Sequence, residues 1–431
     1  MSCLILLASV LLAIPTPDPP PEPVQGRVET IGDIRIVHVF GTPAQMGYAH
    51  GYLAGPDFVV GMQELFAGLP PTAVMMADSM RSWVPLIMLS EDQRAELAGV
   101  YRGIVDRLGT ERMSIPGADR HVDETDLLIW NGYDMFREVG CSGFTAWDDR
   151  TEDGAVITAR TLDLGIFSPR WATSQIVLVR HPAKGKATAC VTPVGLIGIM
   201  TGLSEDGVCG FLHDGNGDEM SMVLEPERPV MMAIRDILER ATPEDAFVVA
   251  AEEVERQGPF PYSYMIRIVA PDDADPASPP AKVYRLDAGG MGINASEPHM
   301  AITTNHYLHP GNLAPTSLRG DSRRRYARIH DTCEQGTPPE SAYISDETAW
   351  SALRRVGADH MMFKTLHAVV IKPESGELQV SVAVMDEDGH IEPATARAPL
   401  TLTHAQLFDA PLPMLRIRPV AADAAPSFPI R

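Results

Sequence analysis

Residues 140–165 read GCSGFTAWDDRTEDGAVITARTLDLG. A helical pattern ends near Gly140, and Cys141 then opens a strand-like run. The Glu152-Asp153-Gly154 turn folds this stretch into a hairpin. The returning strand carries Arg160 and Asp163, which the pairing can bring alongside the cysteine. A guanidinium beside a thiol stabilises the thiolate, and the thiolate is the nucleophile. A carboxylate three residues further on can orient an amine through a charge-assisted hydrogen bond. Such a set suits acyl transfer through a covalent intermediate. Taken alone, however, a strand cysteine reads as a small buried residue, so the weight falls on what accompanies it elsewhere in the chain.

Four further segments accompany it in order. They are GTPAQMGYAHG at 41–51, with Gly47, His50 and Gly51; TTNHY at 303–307, with Asn305; SRRRYAR at 322–328, with Arg325 ahead of Tyr326; and KTLHAVVIKPESGEL at 364–378. With Cys141-Ser142-Gly143-Phe144 and Arg160-Thr161-Leu162-Asp163, they resemble the acyl-CoA:isopenicillin N acyltransferase family of N-terminal-nucleophile hydrolases. The related choloylglycine hydrolases and penicillin V acylases are similar. The likeness runs from Gly41 to about Val384.

That resemblance implies an α+β protein, a four-layer αββα sandwich with a helical N-terminal pro-region. It implies self-cleavage between Gly140 and Cys141 and an acyl-enzyme on Cys141. Asp163 would orient the freed α-amine, Arg160 and Arg325 would favour thiolate and bind polar substrate, and Asn305 would help hold the oxyanion. The substrate implied is a small N-acyl compound, with the acyl group passing to water or to an amine. No cofactor or metal is implied. The cleaved N-terminal chain would stay as a subunit, and homo-oligomer formation stays open. The chain departs from the pattern at 202–216, GLSEDGVCGFLHDGN. There His213 stands where a second oxyanion Asn is expected, with Asp214 and Asn216 beside it. The second donor is then a backbone N–H or His213, unless His213 is simply a polar strand end. A reading from another class, an inactive binding protein with the same fold, runs against the intact Cys141, Arg160, Asp163 and Asn305.

The surrounding pattern divides into 1–26, a signal peptide with a Pro-rich linker; 27–140, the helical pro-region; and 141–431, the catalytic domain. Alternation over 27–40 predicts one strand. Helices are expected from Thr42, after Ser90 with a Ser90/Gln93 capping box, and over 123–138. Strands are expected at 143–147, 155–162, 174–179, 187–191 and 207–212, then helices at 227–241 and 243–257. The second of these is capped by Thr242 with Pro243 at its first position. Strands resume at 263–269 and 282–286. A basic helix follows at 322–333, a hairpin at 366–384, and a Pro-rich tail from Arg416.

The 431 residues carry 57 acidic and 35 basic side chains, a formal charge of −22. That balance repels phosphate backbones and anionic membrane surfaces, so nucleic acid is not an expected partner. The opening MSCLILLASVLLAIP is shorter than the ~20 apolar residues of a bilayer span. Followed by TPDPPPEP, it fits a secretory signal and an exported protein; no stable membrane insertion is expected. Cys190 and Cys209 lie in neighbouring apolar runs and can be read as a disulfide or as buried thiols. His50 reads as a packing histidine of the pro-region or as a site residue. His306 and His309 lack an accompanying metal motif. Arg323 and Arg324 read as solvated face. The Met-rich stretch 75–88 reads as core or as an apolar wall for an acyl chain.

Overall fold

Gly32, with φ of 57°, turns residues 26–41 back on themselves. The single strand expected there is therefore a hairpin of Gly26–Ile31 and Ile34–Gly41. Its second strand pairs in parallel with Gln175–Pro182. The N-terminal portion thus supplies two strands of a sheet whose other strands follow Cys141. The computed structural model describes residues 23–409 except 136–139, 167, 216–225, 258–261, 272–277, 288, 310–311, 316–319, 337–342 and 362. The signal segment and the tail from Arg416 lie outside the described residues.

Among these residues the first sheet has nine strands. It runs Gly26–Ile31, Ile34–Gly41, Gln175–Pro182, Thr188–Pro193, Thr201–Ser204, Cys209–Asp214, Tyr264–Val269, Ala281–Asp287 and Gly290–Ile293. The second runs Met300–Thr303, Gly140–Asp148, Gly154–Gly165, Phe363–Lys372, Glu377–Val382 and Leu400–Leu402, with Asp359–His360 beside Phe363. Alternation along the strands sorts apolar residues into three layers. Leu178 packs with Met46, Val100 and Ile234 of the helices Pro43–Leu53, Glu91–Leu108 and Val230–Arg240. Its neighbours Val177 and Val179 face Val369 and Ile371 across the gap between the sheets. Val370 points the other way, onto Ile329 and Leu353 of the helices Gly320–Gln335 and Asp346–Val356. The order is helix, sheet, sheet, helix: the αββα sandwich the resemblance implies.

The Gly-x-x-His-Gly motif is explained by the crossing of Pro43–Leu53 with Glu91–Leu108. A Cβ on Gly47 would lie 1.9 Å from the Glu96 carbonyl oxygen, and one on Gly51 2.0 Å from that of Val100. Gly99 and Gly103 meet the first helix in return, 2.4 Å from Ala44 O and 2.3 Å from Tyr48 O. The backbones touch because all four side chains are missing. Gly47→Ala should therefore lower unfolding stability by on the order of 1–3 kcal/mol, through overpacking against backbone that cannot step aside. Urea unfolding measures it, and an unchanged midpoint would contradict this account of the motif.

Three expected helices end or begin differently, and the one expected over 227–241 is Val230–Arg240. The helix expected over 123–138 is Glu124–Asn131 followed by the short turn Tyr133–Met135. The helix expected from 243 begins at Ala246, after a turn over 243–245 in which the Thr242 N–H donates to the Asp245 carboxylate at 2.7 Å. Cys190 and Cys209 are free thiols. Their strands flank Thr201–Ser204, and their side chains belong to the helix-facing and inter-sheet clusters respectively, on opposite faces of the sheet. No helix of the described residues is long and apolar enough to cross a membrane.

Candidate active site

Gly140–Asp148 and Gly154–Gly165 form the expected hairpin, with Gly140 opposite Asp163, Cys141 opposite Leu162 and Gly143 opposite Arg160. Strand alternation then splits the two candidate partners of Cys141 between faces. Arg160 projects between the sheets with the thiol, and Asp163 projects toward the helix layer. The fully buried Arg160 donates from Nη2 to Cys141 Sγ at 3.1 Å and to the Leu212 carbonyl at 2.8 Å. Its Nη1 donates to Thr201 Oγ1 and lies 3.3 Å from His367 Nε2. The thiol itself donates to Leu212 O at 3.4 Å. Burial pushes the Cys141 thiol up; Arg160 opposes that and Asp163 adds to it, leaving a net rise. Gly143 leaves room for Arg267, which crosses to the Ala159 carbonyl at 2.9 Å; a Cβ on Gly143 would lie 2.7 Å from its guanidinium.

On the helix side, Arg325 donates to the Cys141 carbonyl at 2.6 Å, to Ser142 Oγ at 2.7 Å and to Asn305 Oδ1 at 2.7 Å. Asn305 Oδ1 also accepts the Cys141 N–H at 3.0 Å, while Asn305 Nδ2 donates to the Asp214 carbonyl at 2.9 Å. Two donors converge on Oδ1, which fixes the orientation of the amide. The group expected to hold an oxyanion therefore shows Cys141 its oxygen in the uncut chain. Asp163 accepts from Thr365 Oγ1 at 2.6 Å and from Thr161 Oγ1 at 3.5 Å, and the Cys141 N–H goes to Asn305 instead. Burial raises the pKa of Asp163 despite the opposing charges of Arg325 and Arg160. A cavity of about 360 Å³ opens here, lined by Gly140, Asp163, Asn305, Arg325, Arg328 and Phe363 among others.

The structure thus brings Cys141, Arg160, Asp163, Asn305 and Arg325 to one strand end. His213 is fully buried next to the last residue of Cys209–Asp214, the strand whose Leu212 carbonyl meets the thiol. Among the described residues neither of its ring nitrogens has a hydrogen-bond partner, Cys141 included. Burial, then Arg267, Arg160 and Arg325, hold its pKa well below the usual histidine range. Asn216 lies outside the described residues. His50 is a packing residue: it is buried, its Nε2 accepts the Gly195 N–H at 3.2 Å, and burial lowers its pKa to about 3. His306 bonds Ser322 Oγ at 2.7 Å and Thr304 Oγ1 at 3.1 Å, and the His309 side chain lies outside the described residues. Arg323 and Arg324 are exposed. Among the described residues, Glu297, His330 and Glu334 could offer a metal ligand atoms within 4.8 Å of one another. Glu297 is already paired with His330, and Glu334 with Arg150. Sequence reasoning missed Thr201, Thr365, His367 and Gln175, which surround Arg160 and Asp163.

A second cavity, about 480 Å³, is walled by Met62, Phe66, Met76, Trp83, Trp130 and Trp171 among others. The Trp130 and Trp171 rings stack with centroids 4.5 Å apart. Met75 and Met76 are each 74% exposed, so this part of the Met-rich stretch is not core; Met76 and Met80 line the cavity instead. Cys141 belongs to the same apolar cluster as Met62, Phe66, Trp130 and Trp171.

Among curated proteins, an uncharacterized protein of Archaeoglobus fulgidus is 25% identical over 218 residues. The match covers 43% of this chain and 33% of that protein, so the chain spans about a third of the length of its relative. Similar solved structures include an N-acylethanolamine-hydrolyzing acid amidase ortholog of Caenorhabditis elegans, with 16% identity, 54% and 93% of the two chains covered and a TM-score of 0.40. A mutant conjugated bile acid hydrolase of Clostridium perfringens gives 10%, 62% and 98%, and 0.39. A penicillin V acylase of Agrobacterium tumefaciens gives 13%, 58% and 84%, and 0.37. The family described as acyl-coenzyme A:6-aminopenicillanic acid acyl-transferase matches residues 150–386. That stretch is more than half of the 431 residues and holds Arg160, Asp163, Asn305 and Arg325, while Cys141 lies just ahead of it. The chain belongs to the acyl-coenzyme A:6-aminopenicillanic acid acyl-transferase family.

Proposed function

We propose that the chain is a self-processing cysteine amidohydrolase that cleaves a non-peptide N-acyl amide through an acyl-enzyme on Cys141. The observation that carries this reading is the convergence on one residue of Arg160 at Sγ, Asn305 at the backbone N–H and Arg325 at the carbonyl. In the first step the Cys141 thiol adds to the Gly140 carbonyl. The Gly140–Cys141 amide breaks, the acyl group passes to sulfur, and water releases it. Cys141 then carries a free α-amine, whose reference pKa of about 7.7–8.0 suits a general base near neutral pH. In turnover the amine takes the thiol proton, the thiolate adds to the substrate carbonyl, and the amine returns the proton to the leaving nitrogen. Asp163 steadies the ammonium, and Arg160 favours the thiolate. Asn305 turns from backbone acceptor to oxyanion donor once the peptide is cut, an interaction of the kind whose loss costs on the order of 100–1000-fold in rate.

The larger cavity shares no lining residue with the one at Gly140 and Asn305; in this reading it takes an apolar acyl group on its tryptophan, phenylalanine and methionine walls. Of its lining residues only Trp171 follows Cys141, so the N-terminal chain would set acyl selectivity. That chain remains as a subunit, held by its two strands and by Glu96, which bonds Arg180 and Arg235. Transfer to an amine instead of water is the second reading, favoured by the family description. Export belongs to the same proposal and rests on the apolar run before TPDPPPEP.

Intact-mass analysis of the purified protein tests the reading. Two chains are expected, the larger beginning at Cys141 with a free amine. Turnover of a panel of N-acyl amides, with and without an added amine acceptor, then separates hydrolysis from transfer. Full activity from an uncut chain with Cys141 internal would sink the proposal.

A further inference from the structure

His367 lies on the Phe363–Lys372 strand, where the register against Gly154–Gly165 shifts. Thr365 is opposite Asp163 and His367 is opposite Leu162, so Leu366 is an extra residue, a β-bulge. In a regular strand Thr365 and His367 would share a face. The bulge instead sends Thr365 to the Asp163 carboxylate at 2.6 Å on the helix side and His367 to Arg160 between the sheets. One irregularity thus supports both polar partners of the cysteine.

The hydrogen bonds around His367 have a readable direction. Gln175 Nε2 donates to the Trp171 carbonyl at 3.3 Å, which turns Gln175 Oε1 to His367 Nδ1 at 3.0 Å. An amide oxygen only accepts, so Nδ1 carries the imidazole proton and Nε2 is bare. Nε2 then accepts the Thr201 hydroxyl at 2.8 Å, and Thr201 Oγ1 in turn accepts from Arg160 Nη1. The chain of donors runs from Arg160 through Thr201, His367 and Gln175 to the Trp171 backbone. All four side chains are buried, and burial, then the Arg160 charge, keep His367 neutral.

We propose that His367 is a positioning residue: through Thr201 it fixes the Arg160 guanidinium so that Nη2 faces the Cys141 sulfur. The inference rests on the reading of Cys141 as nucleophile. A loosened Arg160 stabilises thiolate less, the thiol pKa rises, and the limb of the rate profile set by the thiol moves to higher pH while the limb set by the α-amine stays.

Purified His367→Ala and His367→Gln are compared with the parent for kcat, KM, the pH dependence of kcat, the rate of self-cleavage and melting temperature. His367→Ala should lower kcat on the order of 100-fold with KM little changed and shift the thiol's limb to higher pH. His367→Gln, which keeps an acceptor, should recover part of the loss. In an Arg160→Lys background His367→Ala should cost little more, since it acts through the group already removed. Should His367→Ala not fold, His367→Gln carries the test through its shifted limb at unchanged melting temperature. A folded variant with the parent's kcat and thiol limb, or a loss that adds in full to that of Arg160→Lys, overturns the inference alone. A parent protein that neither cleaves itself nor turns over an amide, or a Cys141→Ala variant that does both, overturns the nucleophile reading with it.

Discussion

Cys141→Ala is expected to yield one folded, uncut chain without amide turnover. The substitution removes only the sulfur. The residue is positioned by its N–H, which donates to Asn305 Oδ1, and by its carbonyl, which accepts from Arg325, and alanine keeps both. Arg160 retains the Leu212 carbonyl and Thr201. The fold should therefore survive with a melting temperature close to the parent's. The chemistry should not, because no other described cysteine can stand in. The Cys190 thiol, on the strand Thr188–Pro193, meets Arg180, the Cys209 thiol lies between the sheets on the Gly207 carbonyl, and Cys333 is on the helix Gly320–Gln335. Loss of a nucleophile costs as much as about a million-fold in kcat where it acts as a unit with its base. Denaturing gels, intact mass and amide hydrolysis check the result. A Cys141→Ala chain that still separates into two pieces would mean that cleavage is external, and one that still hydrolyses amides would move the nucleophile elsewhere. Alanine at Cys190, Cys209 or Cys333 should leave both activities in place.

What the sequence reveals of this site depends on how far apart its parts lie. Cys141, Arg160 and Asp163 sit within one hairpin, and the Glu152-Asp153-Gly154 turn sets their pairing, so their proximity could be read directly. Their division between two faces also follows from alternation, since positions 160 and 163 differ by an odd number. Asn305 comes from the bend just after the edge strand Met300–Thr303, and Arg325 from a helix, both far along the chain. Only the motif resemblance pointed to them, and it gave Asn305 a donor's role where the uncut chain shows its acceptor. Thr365 and His367 were hidden by the bulge at Leu366, because strict alternation would place both on one face. Thr201 and Gln175 belong to the other sheet, and no local pattern announces a contact across two layers. In the fold, one turn glycine inside an alternating run made a hairpin look like a single strand. The Ser90/Gln93 capping box, by contrast, depends on residues three apart and was legible as written.

Glu96→Ala should destabilise the protein by on the order of 3–5 kcal/mol, the range for breaking a buried ion pair from one side. Glu96 is 1% exposed and accepts from Arg180 at 3.3 Å and Arg235 at 2.6 Å. Arg235 would keep Glu239 at 2.6 Å and the Ile197 carbonyl, but Arg180 would keep only that carbonyl and the Cys190 sulfur. The cost is the unpaired Arg180 charge rather than the lost carboxylate, so Glu96→Leu combined with Arg180→Met should recover much of it. Acid gives an independent check. Burial works to raise the Glu96 pKa, but the charges of Arg235 and Arg180 outweigh it and leave the folded value depressed. A carboxylate of that kind contributes stability above its unfolded pKa of about 4.3 and loses it as pH falls through the folded value. The stability gap between the parent and Glu96→Gln, measured by urea unfolding, should accordingly be full at neutral pH and narrow on acidification below about pH 4. A gap that stays constant into acid would mean that the carboxylate charge is not what Arg180 and Arg235 use. Glu96 precedes Gly140, and both arginines follow it. In a processed protein the same substitution should also loosen the two chains from each other, seen as separation during size-exclusion chromatography in mild urea.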